Sequence, residues 1–159
     1  MNRPYILVVD DNAIMAKLIC RYLDINGYEA QSVSDGIACM EHVVVRKPDV
    51  ILTDVMMPRL DGLRMTELLR EDATTRDIPV IVITALSDHH TQVRAIEVGG
   101  TDVMAKPIDE PVLIAKIRLL VAAQQATKQI AALRAVIAAY QRGDSDMAAE
   151  LLASIEGDA

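Results

Sequence analysis

Two apolar runs end in carboxylates: "YILVVDDN" delivers Asp10 and Asp11, and "VILTDVMMPRLDG" delivers Asp54. Another run, "PVIVIT", ends in the hydroxyl of Thr84, and "DVMAKP" ends in the ammonium of Lys106, followed by Pro107. If these ends adjoin in space, like charges ~4 Å apart at an effective dielectric near 20 repel by about 4 kcal/mol per pair. One lysine offsets part of that, and a fold gains nothing from the rest. A bound divalent cation accounts for it. With oxygen donors and no His or Cys nearby the ion should be hard, and Mg2+ fits best, held by few carboxylates and keeping several waters. Mg2+ held in this way serves a phosphate group, with Lys106 and the Thr84 hydroxyl available to phosphoryl oxygens.

The loop "DDNAIM" after the first run is acidic and has no glycine, so it cannot cradle a nucleotide pyrophosphate. The reading that remains is a carboxylate that itself accepts the phosphoryl group, with Asp54 as nucleophile. A haloacid-dehalogenase-like phosphatase also uses a strand-end Asp, but it needs a second Asp two residues on as general acid. That place is held by Met56.

The elements that must position these groups follow from the hydrophobic pattern. Strands are expected at Tyr5 to Val9, "YEAQSV", "VILT", "PVIVIT" and "DVMA", each followed by a helical pattern. The first helix, from Asn12 to about Leu23, carries Ile14, Leu18, Ile19 and Tyr22 at helical spacing and stops at Asn26-Gly27. Ser34 or Asp35 caps the second, which runs to about Arg46. The third ends near Asp72, and the fourth spans about Asp88 to Val98 before Gly99-Gly100. Continuously apolar central strands alternating with helices imply an α/β fold with a five-stranded parallel, doubly wound sheet covered on both faces. In such a sheet, sites form outside the carboxyl ends of the strands, where all the residues above fall.

Asp10-Asp11, Asp54, Thr84 and Lys106-Pro107, in this order on a five-unit βα chain, resemble a response-regulator receiver domain of two-component signalling. The resemblance covers about Tyr5 to Val121. It implies the flavodoxin-like (βα)5 arrangement with strand order 2-1-3-4-5. It also implies that Asp54 takes a phosphoryl group from the phosphohistidine of a sensor histidine kinase or phosphotransfer protein. Asp11, Asp54 and the backbone carbonyl of Met56 would bind Mg2+, with Asp10 acting through water. Lys106 would pair with the phosphoryl group, Thr84 would swing toward it as the switch, and the Lys106-Pro107 bond would be cis. Phosphorylation would then reshape the face made by helix four, strand five and helix five. One position departs from the family: the aromatic usual three residues before the lysine is Val103, which we expect simply to pack. Met56 and Leu86, two residues beyond Asp54 and Thr84, are apolar and cannot orient a water, so slow self-dephosphorylation is expected.

Blander roles are assigned elsewhere. His89-His90 reads as a solvated helix start, and Met56, Met57, Met65 and Met104 as fillers of core and loop gaps. Cys20 and Cys39 have neither metal nor redox spacing and read as packed thiols.

Beyond the last strand the helix is long. Leu119, Ala123, Ala126, Ile130, Leu133, Ile137 and Tyr140 form a heptad stripe of about three repeats, the lower limit for a coiled coil. "RGDSD" breaks it, with Gly143 as stop and Asp144 or Ser145 as cap, and Met147, Leu151, Leu152 and Ile155 mark a short amphipathic helix. The domains are expected at 1–122, the receiver, and 123–159, a helical extension. A homodimer arm through Ile130, Leu133, Ile137 and Tyr140 is favoured over a hairpin folding back on the receiver or an element docking another protein.

The 159 residues are 52% hydrophobic and 25% charged, the balance of an ordered globular chain that needs no disulfide or metal to build a core. There is no Phe or Trp, so aliphatic residues must fill it. A net charge of -7 without a basic cluster argues against a nucleic-acid surface. No run approaches a membrane span and no leader precedes the first strand, so a cytoplasmic location is expected, with no membrane partner. The expected role is not that of an enzyme but of a self-catalysed phosphoryl acceptor acting on a downstream protein target. Two alternatives stand beside it: a constitutive dimeric scaffold with a vestigial acid site, and the front of a longer response regulator.

Overall fold

Strand and helix alternate until two helices end the chain in the computed structural model, which describes residues 3–85 and 88–157. The elements are β1 (Tyr5–Val9), α1 (Ala13–Ile25), β2 (Glu29–Val33), α2 (Gly36–Val45), β3 (Val50–Asp54), α3 (Gly62–Glu71), β4 (Val80–Ala85), α4 (His89–Glu97), β5 (Asp102–Lys106), α5 (Glu110–Gln141) and α6 (Ser145–Gly157). The chain forms two units, one ending at Arg118 and one beginning at Leu119.

In the first unit the five strands are parallel, in the order β2-β1-β3-β4-β5. β1 and β3 are buried at every residue, and β4 at all but its last, because helices cover both faces. β2, at the edge, is only half-buried, as its alternating "EAQSV" requires. Side chains alternate across the sheet. Leu7, Val9, Ile51, Val80 and Val82 share one cluster with Cys39, Val43, Met65, Leu69 and Ala95 from α2, α3 and α4. Ile6, Val8, Leu52, Ile81 and Ile83 point the other way, and the buried residues outside that cluster include Ile19 and Leu23 of α1 and Leu113 and Ile117 of α5.

Each of the six helices among the described residues begins with a side-chain cap: Asn12, Asp35, Asp61, Asp88, Asp109 and Asp144 accept backbone N–H bonds from the first turn. Five of the 23 acidic residues thus serve as caps. Asp54 heads no helix, and it is the environment of such residues that calls for explanation.

Two expectations are corrected. In α1 the buried residues are Ala16, Ile19 and Leu23, whereas Ile14 is 83% exposed and Leu18 39% exposed. Met65 and Met104 do fill the core, but Met56 is 79% exposed.

At the amino ends of the strands, Tyr5 is held from three sides. Its hydroxyl hydrogen-bonds Gln31 Oε1 at 3.0 Å and lies 2.7 Å from His42 Nε2, while the Arg46 guanidinium sits 3.9 Å over its ring. Arg46 is itself fixed by Glu29 at 2.5 and 2.7 Å.

In the second unit, Val136 and Ala139 of α5 pack against Ala148, Leu151 and Ile155 of α6. Gly143, at φ +79, ends α5, since only glycine takes that backbone region freely. Met147 and Leu152, expected on the packed face of α6, are each 44% exposed; the packed line runs through Ala148 instead.

Candidate functional site

Parallel register brings the strand tips together. Val9 pairs with Thr53, so Asp10 follows β1 beside Asp54 at the end of β3. Asp54 pairs with Ile83, Thr84 with Ala105 and Ala85 with Lys106, which sets Thr84 and Lys106 at the same end of the sheet. Among the described residues, Asp10, Asp11 and Asp54 offer carboxylate oxygens all within 4.8 Å of one another. Lys106 reaches across from β5, its Nζ donating to Asp54 Oδ2 at 2.8 Å.

The acids are not equivalent. Asp54 is 9% exposed and its other oxygen, Oδ1, accepts from the Val55 N–H at 2.7 Å. Asp10 is 5% exposed and accepts from the Asn12 N–H at 2.8 Å. Asp11 faces solvent. Burial pushes the Asp10 carboxyl above the usual range, and the charges of Asp54 and Asp11 push it the same way; the Asn12 N–H and Lys106 pull it down. Three carboxylates face one ammonium, with no His or Cys among the donors. That donor set fits a hard, oxygen-seeking dication and not a soft or borderline metal.

Thr84 is 5% exposed near the end of β4. Val103, one strand over, is half-buried and packs against the core cluster. The Lys106-Pro107 bond is cis. Met56, whose carbonyl is the expected metal ligand, lies two residues past Asp54 with its side chain in solvent. Leu86, the other residue expected to govern dephosphorylation, lies outside the described residues. Ile130, Leu133, Ile137 and Tyr140 belong to the second unit and take no part in this cluster.

Two supports were not legible in the chain. Gly62 approaches the backbone so closely that a Cβ there would stand 2.0 Å from the Asp54 carbonyl oxygen and 2.8 Å from Thr53 Oγ1. Its N–H donates to the Val55 carbonyl at 3.0 Å, closing the β3–α3 loop over the tip. Farther along that loop, Arg59 sits at φ +66 and its Nε donates to Asp35 Oδ2 at 2.8 Å, tying the loop to the start of α2. The Ala38 N–H first, and then Arg59, hold the Asp35 carboxyl below the usual range. The sequence places a loop through Pro58 and Gly62 before the third helix, but it does not signal a contact with the site.

Comparison with known proteins gives consistent results. The family described as response regulator receiver domain matches residues 6–118. The response regulator PleD of Caulobacter vibrioides is 40% identical over 115 residues, which are 72% of this chain and 25% of that protein. The DNA-binding dual master transcriptional regulator RpaA of a Synechocystis species is 35% identical over 117 residues, 74% of this chain and 48% of that one. The chain thus spans half or less of the length of these relatives. Among solved structures, the signal receiver domain of a signal transduction histidine kinase from Syntrophus aciditrophicus superposes with a TM-score of 0.72 at 32% identity. It covers 76% of this chain and 91% of that one.

Proposed function

Because the chain belongs to the response regulator receiver domain family, we propose that it is a phosphorylation-controlled switch with Asp54 as the phosphoryl acceptor. The observation that carries this reading is the juxtaposition of three carboxylates within 4.8 Å with the Lys106 ammonium 2.8 Å from Asp54. An Asp54 oxygen attacks the phosphorus of a phosphohistidine on a sensor histidine kinase or phosphotransfer protein. The P–N bond breaks, the imidazole leaves with the bonding pair, and an acyl phosphate remains on Asp54. Water later cleaves it, returning the carboxylate and inorganic phosphate. Asp10, Asp11, Asp54 and the Met56 carbonyl would hold Mg2+, which when bound supplies positive charge against the carboxylates and the phosphoryl oxygens. Lys106 leaves its ion pair with Asp54 for a phosphoryl oxygen, and the Thr84 hydroxyl turns to the same group.

With Val103 packed rather than aromatic, the Thr84 loop and α4 carry the signal, and Pro107 holds the turn after Lys106. The receiver occupies 1–122 and the helical extension 123–159. Output runs through protein contacts to a downstream target, with a homodimer through the α5 extension; a net charge of -7 disfavours nucleic acid as that target. No helix among the described residues is long and apolar enough to cross a membrane, and the cytoplasm is the compartment we propose.

Intact-mass measurement after incubation with Mg2+ and a small phosphodonor tests the reading. A gain of one phosphoryl group, lost in Asp54→Asn and on chelation of Mg2+, is expected. A chain that stays unmodified with its fold intact would instead support a constitutive scaffold with a vestigial acid site.

A further inference from the structure

Charge in the second unit is segregated by helix. From Leu119 to Arg142 the charged residues are Lys128, Arg134 and Arg142, with no acid; from Asp144 to Glu156 they are Asp144, Asp146, Glu150 and Glu156, with no base. The hairpin joining them buries little: Val136, Ala139 and Ala148 fully, with Leu151 and Ile155 partly covered. Helical units of about 40 residues or fewer rarely hold together without further association, and α6 is no longer than the ~12–15 residues at which isolated helices are marginal in water.

A second apolar face remains. At about 100° per residue, Ile130, Leu133, Ile137 and Tyr140 line up roughly a third of a turn away from Val136 and Ala139. The same construction on an antiparallel α6 places Leu152 on that side of the hairpin and Met147 on the opposite side. The contact of Arg142 with the Met147 sulfur at 3.8 Å lies on that opposite side, as the construction requires. The five residues of the open side are 52, 47, 56, 68 and 44% exposed, in the order Ile130, Leu133, Ile137, Tyr140, Leu152. Helices of a bundle present two such faces, one to each neighbour.

We infer that a second copy of this chain covers this side with its own hairpin, α6 of each copy lying against α5 of the other in a four-helix bundle. The inference rests on the homodimer reading above and names its geometry. Pairing α5 with α5 alone would set two stretches from Leu119 to Arg142, neither with an acid, side by side. Pairing α5 with the partner's α6 sets basic against acidic and adds Leu152 to the buried stripe. The arrangement is self-complementary, as a two-fold interface must be.

Light scattering and sedimentation of the full chain, with helicity recorded by circular dichroism, test it. Ile137→Glu and Leu152→Glu should each raise the dimer dissociation constant tenfold or more, while Met147→Glu, on the far side of α6, leaves it unchanged. A wild-type chain that stays monomeric overturns the homodimer reading itself. If Ile137→Glu dissociates the dimer and Leu152→Glu does not, the homodimer stands and the four-helix geometry falls. If Met147→Glu is as damaging as Leu152→Glu, α6 acts only by being folded, and the inference fails.

Discussion

Neutralising Asp10 without changing its shape should stabilise the metal-free protein. Asp10→Asn keeps the Oδ1 that accepts from the Asn12 N–H at 2.8 Å, so the local turn survives. The removed charge stands within 4.8 Å of two other carboxylates, and at an effective dielectric near 20 each such pair costs about 3.5 kcal/mol. Asp11 is exposed and Lys106 already sits on Asp54, so most of that sum is screened or offset, and roughly 1–3 kcal/mol remains as the expected gain. For a chain of this length the melting midpoint then rises by roughly 2–12 °C. The sign with pH follows from the raised Asp10 carboxyl. A folded-state value above the unfolded one means that ionising Asp10 lowers stability as pH climbs from the ordinary aspartate range through the raised value. The advantage of Asp10→Asn is therefore full above that window and disappears below it. Mg2+ should reverse the ranking, because a ligand that binds only the folded state stabilises the wild type by RT ln(1 + [L]/Kd), and the variant lacks one of its acids. Urea or thermal melts of both proteins, with Mg2+ and with chelator, supply the assay. A variant that melts below the wild type in chelator at neutral pH would refute the reasoning that the cluster is held against its own repulsion.

Other outcomes follow from single contacts. Val103→Ala should cost about 1 kcal/mol of stability, since the side chain is half-buried against the core, while leaving the phosphorylation-dependent change in partner binding intact. Loss of that change with the fold preserved would make Val103 part of the switch. Gly62→Ala should lower stability by about 3 kcal/mol or more and slow phosphorylation of Asp54, because the new Cβ meets backbone 2.0 Å away. Unchanged melting would show that the loop yields freely. Of the two thiols only Cys20 should react in the native protein, and slowly: Cys39 is fully buried and pushed up to about 12 by burial, and the thiolate is the reactive form. Mass counting of alkylated sites with and without denaturant checks this.

The strands and the groups at their tips were legible because burial on both faces leaves no charged residue in β1 or β4, so a carboxylate at the end of such a run stands out. The helix faces were less so. Ile14 and Leu18 made a plausible stripe, yet Ala16 lies inside with Ile19 and Leu23; alanine carries too little hydrophobicity to mark the side that packs closest. Ala148 hid the packed line of α6 in the same way. The Arg59–Asp35 tie and the Gly62 approach join residues through the path of a loop, which composition and period do not encode.

The distribution of tyrosines decides what light can report. With no tryptophan and no phenylalanine, near-ultraviolet absorption and emission come from the four tyrosines alone. Tyr5 and Tyr28 are buried, Tyr5 inside its hydrogen-bonded cage at the end of the sheet away from Asp54. Tyr22 is half-buried on α1, and Tyr140, 68% exposed on α5, has the most freedom to change its surroundings. An unlabelled sample thus carries a fluorophore on the proposed assembly surface and none among Asp10, Asp11, Asp54, Thr84 and Lys106. On the homodimer reading, a change in emission on adding a phosphodonor that is lost in Tyr140→Leu would read the quaternary response, not the chemistry that triggers it.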